Sequence, residues 1–205
     1  MIKLDFRKEH RELYSASASR AAFVTVPALN YLMVLGKGDP NTSERYREAV
    51  AALFSLSYTL KFMIRKGPLQ IDYRVMPLEG LWWTEGSRDF LPDKKDDLNW
   101  IAMIMQPTLV TEELLQAAKK QVAGKKSFRI LPEVGLGQYN EGFCAQILHL
   151  GPYSEEGETI SRLHAFIKEQ AYEPAGKHHE IYLNNPARTD PVKLKTILRQ
   201  PVKKV

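Results

Sequence analysis

"MIMQP" (103–107) and "ILRQP" (197–201) are two short apolar stretches that each close on Gln-Pro. Each ends a passage of the same plan, in which the apolar period alternates between two, for strands, and 3.6, for helices. In the first passage "YLMVLGKG" (31–38) reads as a strand ending in a glycine turn. Pro40-Asn41-Thr42 then opens a helical segment from Ser43 to about Lys66, stopped by Gly67-Pro68. "YRVMPLEGLWWTE" (73–85) and "NWIAMIMQP" (99–107) follow as strands, separated by a polar loop around "SRDFLPDKKDD" (87–97), and Thr111 caps a second helix ending at or near Gly124.

The order then recurs. "GFCAQILHLGPYS" (142–154) is a strand entering a Gly-Pro turn, and "EGETISRLHAFIKEQAY" (156–172) carries Ile160, Leu163, His164 and Ile167 at amphipathic helical spacing. "HHEIYL" (178–183) and "KLKTILRQP" (193–201) supply two more strands. Each passage is strand, helix, strand, strand, and each first strand after the helix holds a glutamate, Glu79 or Glu180. The expected fold is α+β: duplicated β-α-β-β units forming a twisted antiparallel sheet, with a central aromatic-lined groove where the units meet. Residues 1–22 read as an N-terminal extension and 23–205 as the domain, with half-repeats about 23–125 and 126–205.

Composition excludes several classes. The 205 residues hold one cysteine, Cys144, in an apolar β-like stretch, which suits a buried small hydrophobe in a reducing compartment. No apolar run reaches the roughly 20 residues that span a bilayer, and the first residues lack a secretory h-region. A cytoplasmic protein follows as the expectation. The net charge of +5 is spread along the C-terminal strand and tail, with no reader helix or stacking strand, so no nucleic-acid partner is expected.

His178-His179-Glu180 looks at first like a metal site. In a strand, however, His179 points away from its two neighbours, leaving two same-face ligands where zinc needs more. No metal and no organic cofactor is expected. Glu180 instead shares a face with Tyr182, and Glu79 shares one with Leu81 and Trp83 while Trp82 lies opposite. A carboxylate among aromatics in a partly desolvated groove serves as a general base or as a cation site. Trp82 and Trp83 cannot both enter one core, so one lines a groove or covers an edge. Trp100 opens the partner strand. Phe54, Tyr58 and Phe62 form an i, i+4, i+8 stripe, in which Phe54 and Phe62 suit core packing and Tyr58 needs a polar partner if buried.

Taken in order, "LNYLMVLGKGDPN" (29–41), "LFSLSYTLKFMI" (53–64), "PLEGLWWTE" (77–85), "NWIAMIMQP" (99–107), "HLGPYSEE" (149–156) and "GKHHEIYLNNPARTDPVKLKTILRQPV" (176–202) resemble the GyrI-like small-molecule-binding proteins, from about Phe23 onward. The chain looks like the stand-alone branch, because no helix-turn-helix reader precedes the domain. The resemblance implies a duplicated fold around an aromatic-lined cavity. In regulator relatives, a glutamate at the position resembling Glu180 meets cationic lipophilic drugs. In the subfamily of cyclopropanoid cyclopropyl hydrolase-like proteins, an aromatic cage accompanies hydrolytic opening of strained cyclopropane rings in DNA-alkylating natural products.

By that resemblance Glu180 is the catalytic base and Tyr58 or Tyr182 donates to the developing oxyanion. Trp82 or Trp83 walls the cage, and Trp100, Glu79 and Phe54 complete the expected ligand-binding set. The implied partner is an aromatic or cationic small molecule, with neither nucleic acid nor membrane, and a homodimer is allowed. A binding module without chemistry and a protein-interaction module remain the competing readings.

Overall fold

A computed structural model describes residues 2–86 and 97–205. All but the last residue of the polar loop expected at 87–97 lies outside the described residues. In chain order the strands and α-helices are β1 (Ile2–Leu4), α1 (Phe6–Glu9), β2 (Ala22–Lys37), α2 (Glu44–Lys66), β3 (Ile71–Tyr73), β4 (Leu78–Thr84), β5 (Leu98–Gln106), α3 (Glu112–Ala123), β6 (Gly135–Leu150), α4 (Glu156–Glu169), β7 (Tyr172–Pro174), β8 (His178–Tyr182) and β9 (Lys195–Lys204). The duplicated plan is therefore present as β2-α2-β4-β5 and β6-α4-β8-β9. Ser43 and Thr111 cap α2 and α3, their hydroxyls accepting from the Tyr46 and Leu114 amides at 3.1 and 3.3 Å.

The antiparallel sheet runs β6-β2-β5-β4-β8-β9, and β9 pairs back onto β6, which curls it into a closed ring. The halves join like to like, β4 against β8 and β2 against β6. Closure comes from the 16-residue strands β2 and β6, whose outer portions the sequence pattern does not announce. In β2 the buried positions change phase across Pro27, from Val24 and Val26 to Leu29 and Tyr31. In β6 they change between Glu141 and Cys144, across Gly142 at φ 77. Both strands bend at the same rung, and no run of strict alternation survives to be read.

Helices α2 and α4 cover the outside of the ring. Ala49, Ala52, Leu53, Leu56, Leu60 and Ile64 of α2 are buried against the first half. Each large side chain contributes roughly 1.5–3 kcal/mol of apolar burial. Ile160, Leu163 and Ile167 of α4 pack on Ala145, Ile147 and Leu198 of the second half. Gly36 fits the first packing layer because Trp100 lies across it: a Cβ there would stand 2.1 Å from the indole.

The two Gln-Pro motifs fix how the halves correspond. Leu78 faces Ile104, two residues before Gln106, whereas Glu180 faces Leu198, two residues before Gln200. Glu180 thus corresponds to Leu78, and Glu79 corresponds to Ile181. The sequence pairing of the two glutamates is one residue out of register, and one residue reverses the face. This corrects the placement of Glu79, which points into the ring while Glu180 points out.

Inside the ring lies a polar cluster sealed from solvent. His179 meets Glu79 through Nε2 at 3.0 Å and Glu141 through Nδ1 at 2.9 Å. Arg199 donates from Nη1 to Glu141 at 3.2 Å and from Nε to Gln146 at 3.1 Å. Residues 12–15 close over this cluster. Tyr14 donates to Glu79 at 2.7 Å, Gln146 donates to the Glu12 carbonyl at 2.8 Å, and Arg199 donates to the Leu13 carbonyl. Burial opposes a charged His179, but Glu141 and Glu79 outweigh it and push the ring up to about 9. Burial likewise opposes a charged Glu141, and His179 with Arg199 prevails, holding it below its ordinary value.

Two pairs of opposite charge bound this closely should govern the pH dependence of stability. A His179 pKa raised above its unfolded value of roughly 6.5 gives stability fully present below that pH and lost as pH rises through about 9. Urea midpoints should therefore fall between pH 6.5 and 9. His179→Gln should lower the midpoint at pH 6.5, by about 3 kcal/mol or more of stability, and flatten the slope. An unchanged slope in the variant would remove His179 as its source.

Candidate functional site

Between α2 and α4, over the seam where β4 meets β8, runs a groove of ≈ 1240 Å³. Strand alternation builds its floor. Leu78, Gly80 and Trp82 pair across the seam with Tyr182, Glu180 and His178, so all six share the outer face. Gly80 gives Trp82 room to lie flat, since a Cβ at Gly80 would sit 2.7 Å from the indole nitrogen. One wall is α2, through Tyr46, Val50, Phe54 and Tyr58, each four residues from the last. The facing wall is the first turns of α4, Glu156 and Ile160, with Tyr153 just before them.

Glu180 is the carboxylate of the floor. Glu180 is 7% exposed. Tyr182 donates to its Oε2 at 2.6 Å, and His178 Nε2 lies 3.5 Å from its Oε1. The Tyr182 ring meets that of Tyr153 edge-on at 5.5 Å. Burial first and the Glu180 charge second raise the Tyr182 hydroxyl well above its ordinary value, and the same two causes raise Tyr46. Tyr153 is pushed up to about 12 by burial and by Glu156 and Glu180. A second carboxyl, Glu156, is raised to about 9, by burial and then by Glu180. Burial and the neighbouring Glu180 charge thus keep Glu156 protonated at neutral pH.

Of the residues singled out from sequence, Glu180, Tyr182, Trp82, Phe54 and Tyr58 line this groove. Three do not. Glu79 is satisfied inside the ring by Tyr14 and His179. Trp83 shares Glu79's face and stacks under Lys177, whose Nζ is 4.6 Å from the ring centre. Trp100 is fully buried beneath α2, edge-on to Tyr46 at 5.0 Å. The helical stripe also extends the other way from that expected: Phe62 is 44% exposed, because the row at i+4 spacing drifts around the helix. Tyr46 continues the row toward the floor, and its spacing of eight from Phe54 was the available signal. Glu156 had none beyond its place in "GPYSEE". Among the described residues no cluster of three His, Cys, Asp or Glu side chains converges on a metal-sized site.

Residues 21–203 match the GyrI-like small molecule binding domain. The chain belongs to that family. A solved conserved protein of Listeria innocua, itself uncharacterised, superposes with a TM-score of 0.89 at 39% identity, covering 98% of this chain and all of its own. A hydrolase from Listeria innocua superposes with a TM-score of 0.84 at 38% identity, again over 98% of this chain and all of the hydrolase. The C-terminal domain of EcmrR shares the fold alone, at 12% identity and a TM-score of 0.55, over 91% of this chain and 98% of that domain. No curated protein matches the chain.

Small-molecule binding is the property of the GyrI-like domain, and the groove is a cavity of suitable size for it. Among the described residues no helix is long and apolar enough to cross a membrane. The flat seat of Trp82 is open to test. Gly80→Ala should displace the indole, cost about 1–3 kcal/mol through overpacking, and shift tryptophan emission. Native emission and an unchanged melting temperature would show that Trp82 does not depend on Gly80.

Proposed function

We propose that this GyrI-like protein binds flat aromatic or lipophilic molecules in the groove and hydrolyses those that carry a strained cyclopropane electrophile. One observation carries the reading: a nearly buried carboxylate, Glu180, is held at 2.6 Å by Tyr182 on the floor of an aromatic-walled cavity. The 38% identity to a Listeria innocua protein described as a hydrolase supports it. The proposed setting is the cytoplasm.

The ligand stacks against Trp82, with Tyr46 and Phe54 beside it, and excludes all but a water at Glu180. One Glu180 oxygen accepts from Tyr182, which fixes the carboxylate, and the other takes a proton from the attacking water. The water oxygen bonds to a ring carbon, the strained carbon–carbon bond breaks, and its electron pair moves into the conjugated system of the ligand. A positioned base contributes roughly 10²- to 10⁴-fold, and ring strain supplies part of the remaining drive. Tyr58, 49% exposed at the outer part of the wall, serves as a stacking and closing contact. Sequestration of cationic drugs without chemistry is the second reading, favoured by the aromatic surroundings of Glu180, which suit a cation equally.

Glu180→Gln separates the two. Incubated with a cyclopropane-bearing aromatic alkylator, wild type should yield the water adduct by mass spectrometry, and the variant should lose at least about 100-fold in rate. Stacking, read as tryptophan quenching, should persist in the variant. Quenching by wild type with no adduct would leave only sequestration.

A further inference from the structure

Glu156 opens α4 and is 5% exposed, on the wall of the same groove that Glu180 floors. Its Oε1 is buried and has no hydrogen-bond partner among the described residues. The groups around it are Glu180 and Tyr182 from β8, Tyr153 from the turn before the helix, and the Thr196 hydroxyl from β9. Among the described residues no cation figures among the charges acting on it. The first turn of a helix ordinarily favours an ionised acid. Here burial and the neighbouring carboxylate prevail, and the group retains its proton up to about 9.

Two of the other donors are poorly placed for proton transfer. The Tyr182 hydroxyl already donates to Glu180, and Tyr58 stands at the exposed part of the wall. We propose that Glu156 is the general acid of this groove, protonating the ligand oxygen on which negative charge gathers as the strained ring opens.

This rests on the hydrolase reading and completes its balance. Water loses one proton to Glu180 and bonds to the ring carbon. The electrons of the broken carbon–carbon bond reach a conjugated carbonyl oxygen, which takes the Glu156 proton and becomes a hydroxyl. Glu180 ends protonated and Glu156 ionised. A proton passing between these neighbours restores the starting state without external acid or base. A buried carboxyl that keeps its proton beside a carboxylate that accepts one forms the usual acid–base division of labour.

Glu156→Gln keeps the shape and a hydrogen-bond donor but cannot deliver a proton. With the same alkylator, kcat should fall about 100-fold or more. The alkaline limb of the kcat/KM profile, expected near pH 9 in wild type, should vanish. Binding of the ring-opened product, read by tryptophan quenching, should stay within about threefold, and Glu156→Asp should restore part of both kcat and the limb. Turnover of Glu156→Gln near the wild-type rate with its alkaline limb intact would overturn the assignment. Parallel loss of product binding and turnover in both variants would make Glu156 a structural residue and overturn it too. Wild type that binds but never turns over would sink the hydrolase reading itself.

Discussion

The structure depends on a buried charge cluster in which two carboxylates, Glu79 and Glu141, close around His179 and Arg199. Four strands contribute these groups, β4, β6, β8 and β9, so the cluster ties both halves of the duplication together at the centre of the ring. Removing one member would strand another charge in a medium that solvates it poorly. Its most consequential effect is on register. His179 must point inward to satisfy Glu79 and Glu141, and the next residue, Glu180, must then point outward into the groove. The adjacent residues of "HHE" therefore serve opposite faces, one as a fixed internal cation and the other as the carboxylate on the floor of the groove.

The groove gains its chemistry from asymmetry between the halves. Where the second half places Glu180, the first half places Leu78, and where the first half places Glu79, the second places Ile181. A carboxylate is thus present once on each face of the seam. On the groove side it meets aromatic rings from α2 and a second carboxyl from α4. The outcome is a cavity with aromatic walls and a carboxylate on its floor, which suits flat ligands and can draw a cation, while Arg7, Arg47, Lys61 and Arg74 line other parts of it.

Much of this was legible in the sequence. The Gln-Pro endings, the capped helices and the repeated order of elements carried the fold class, and alternation in "HHEIYL" placed Glu180 with Tyr182. The failures share a cause. Closure of the sheet relies on bends at Pro27 and Gly142, where alternation breaks and the strand signal fades. Glu79 and Glu180 look equivalent in sequence, but with a period of two a single-residue offset reverses every side chain. Trp83 and Trp100 stand among the expected ligand-binding residues because aromatic clustering in sequence reveals neither that Trp83 shares the face of Glu79 nor that Trp100, on the face of Trp82, is fully buried. Glu156 is invisible in advance, since its significance comes only from the neighbours that folding brings to it.

The segment lying across the mouth of the ring has a consequence for where this domain begins. Similarity to the family starts at residue 21, yet Tyr14 satisfies a central carboxylate, and the carbonyls of Glu12 and Leu13 hold Gln146 and Arg199. Leu13 is as deeply buried as Leu81 of the sheet. The boundary of the matched family domain and the boundary drawn by solvent exclusion are different lines. The stretch before residue 21 acts as a stopper whose hydrogen-bonding groups are addressed to the interior, so the smallest unit that can keep its centre dry is longer than the stretch that matches the family domain.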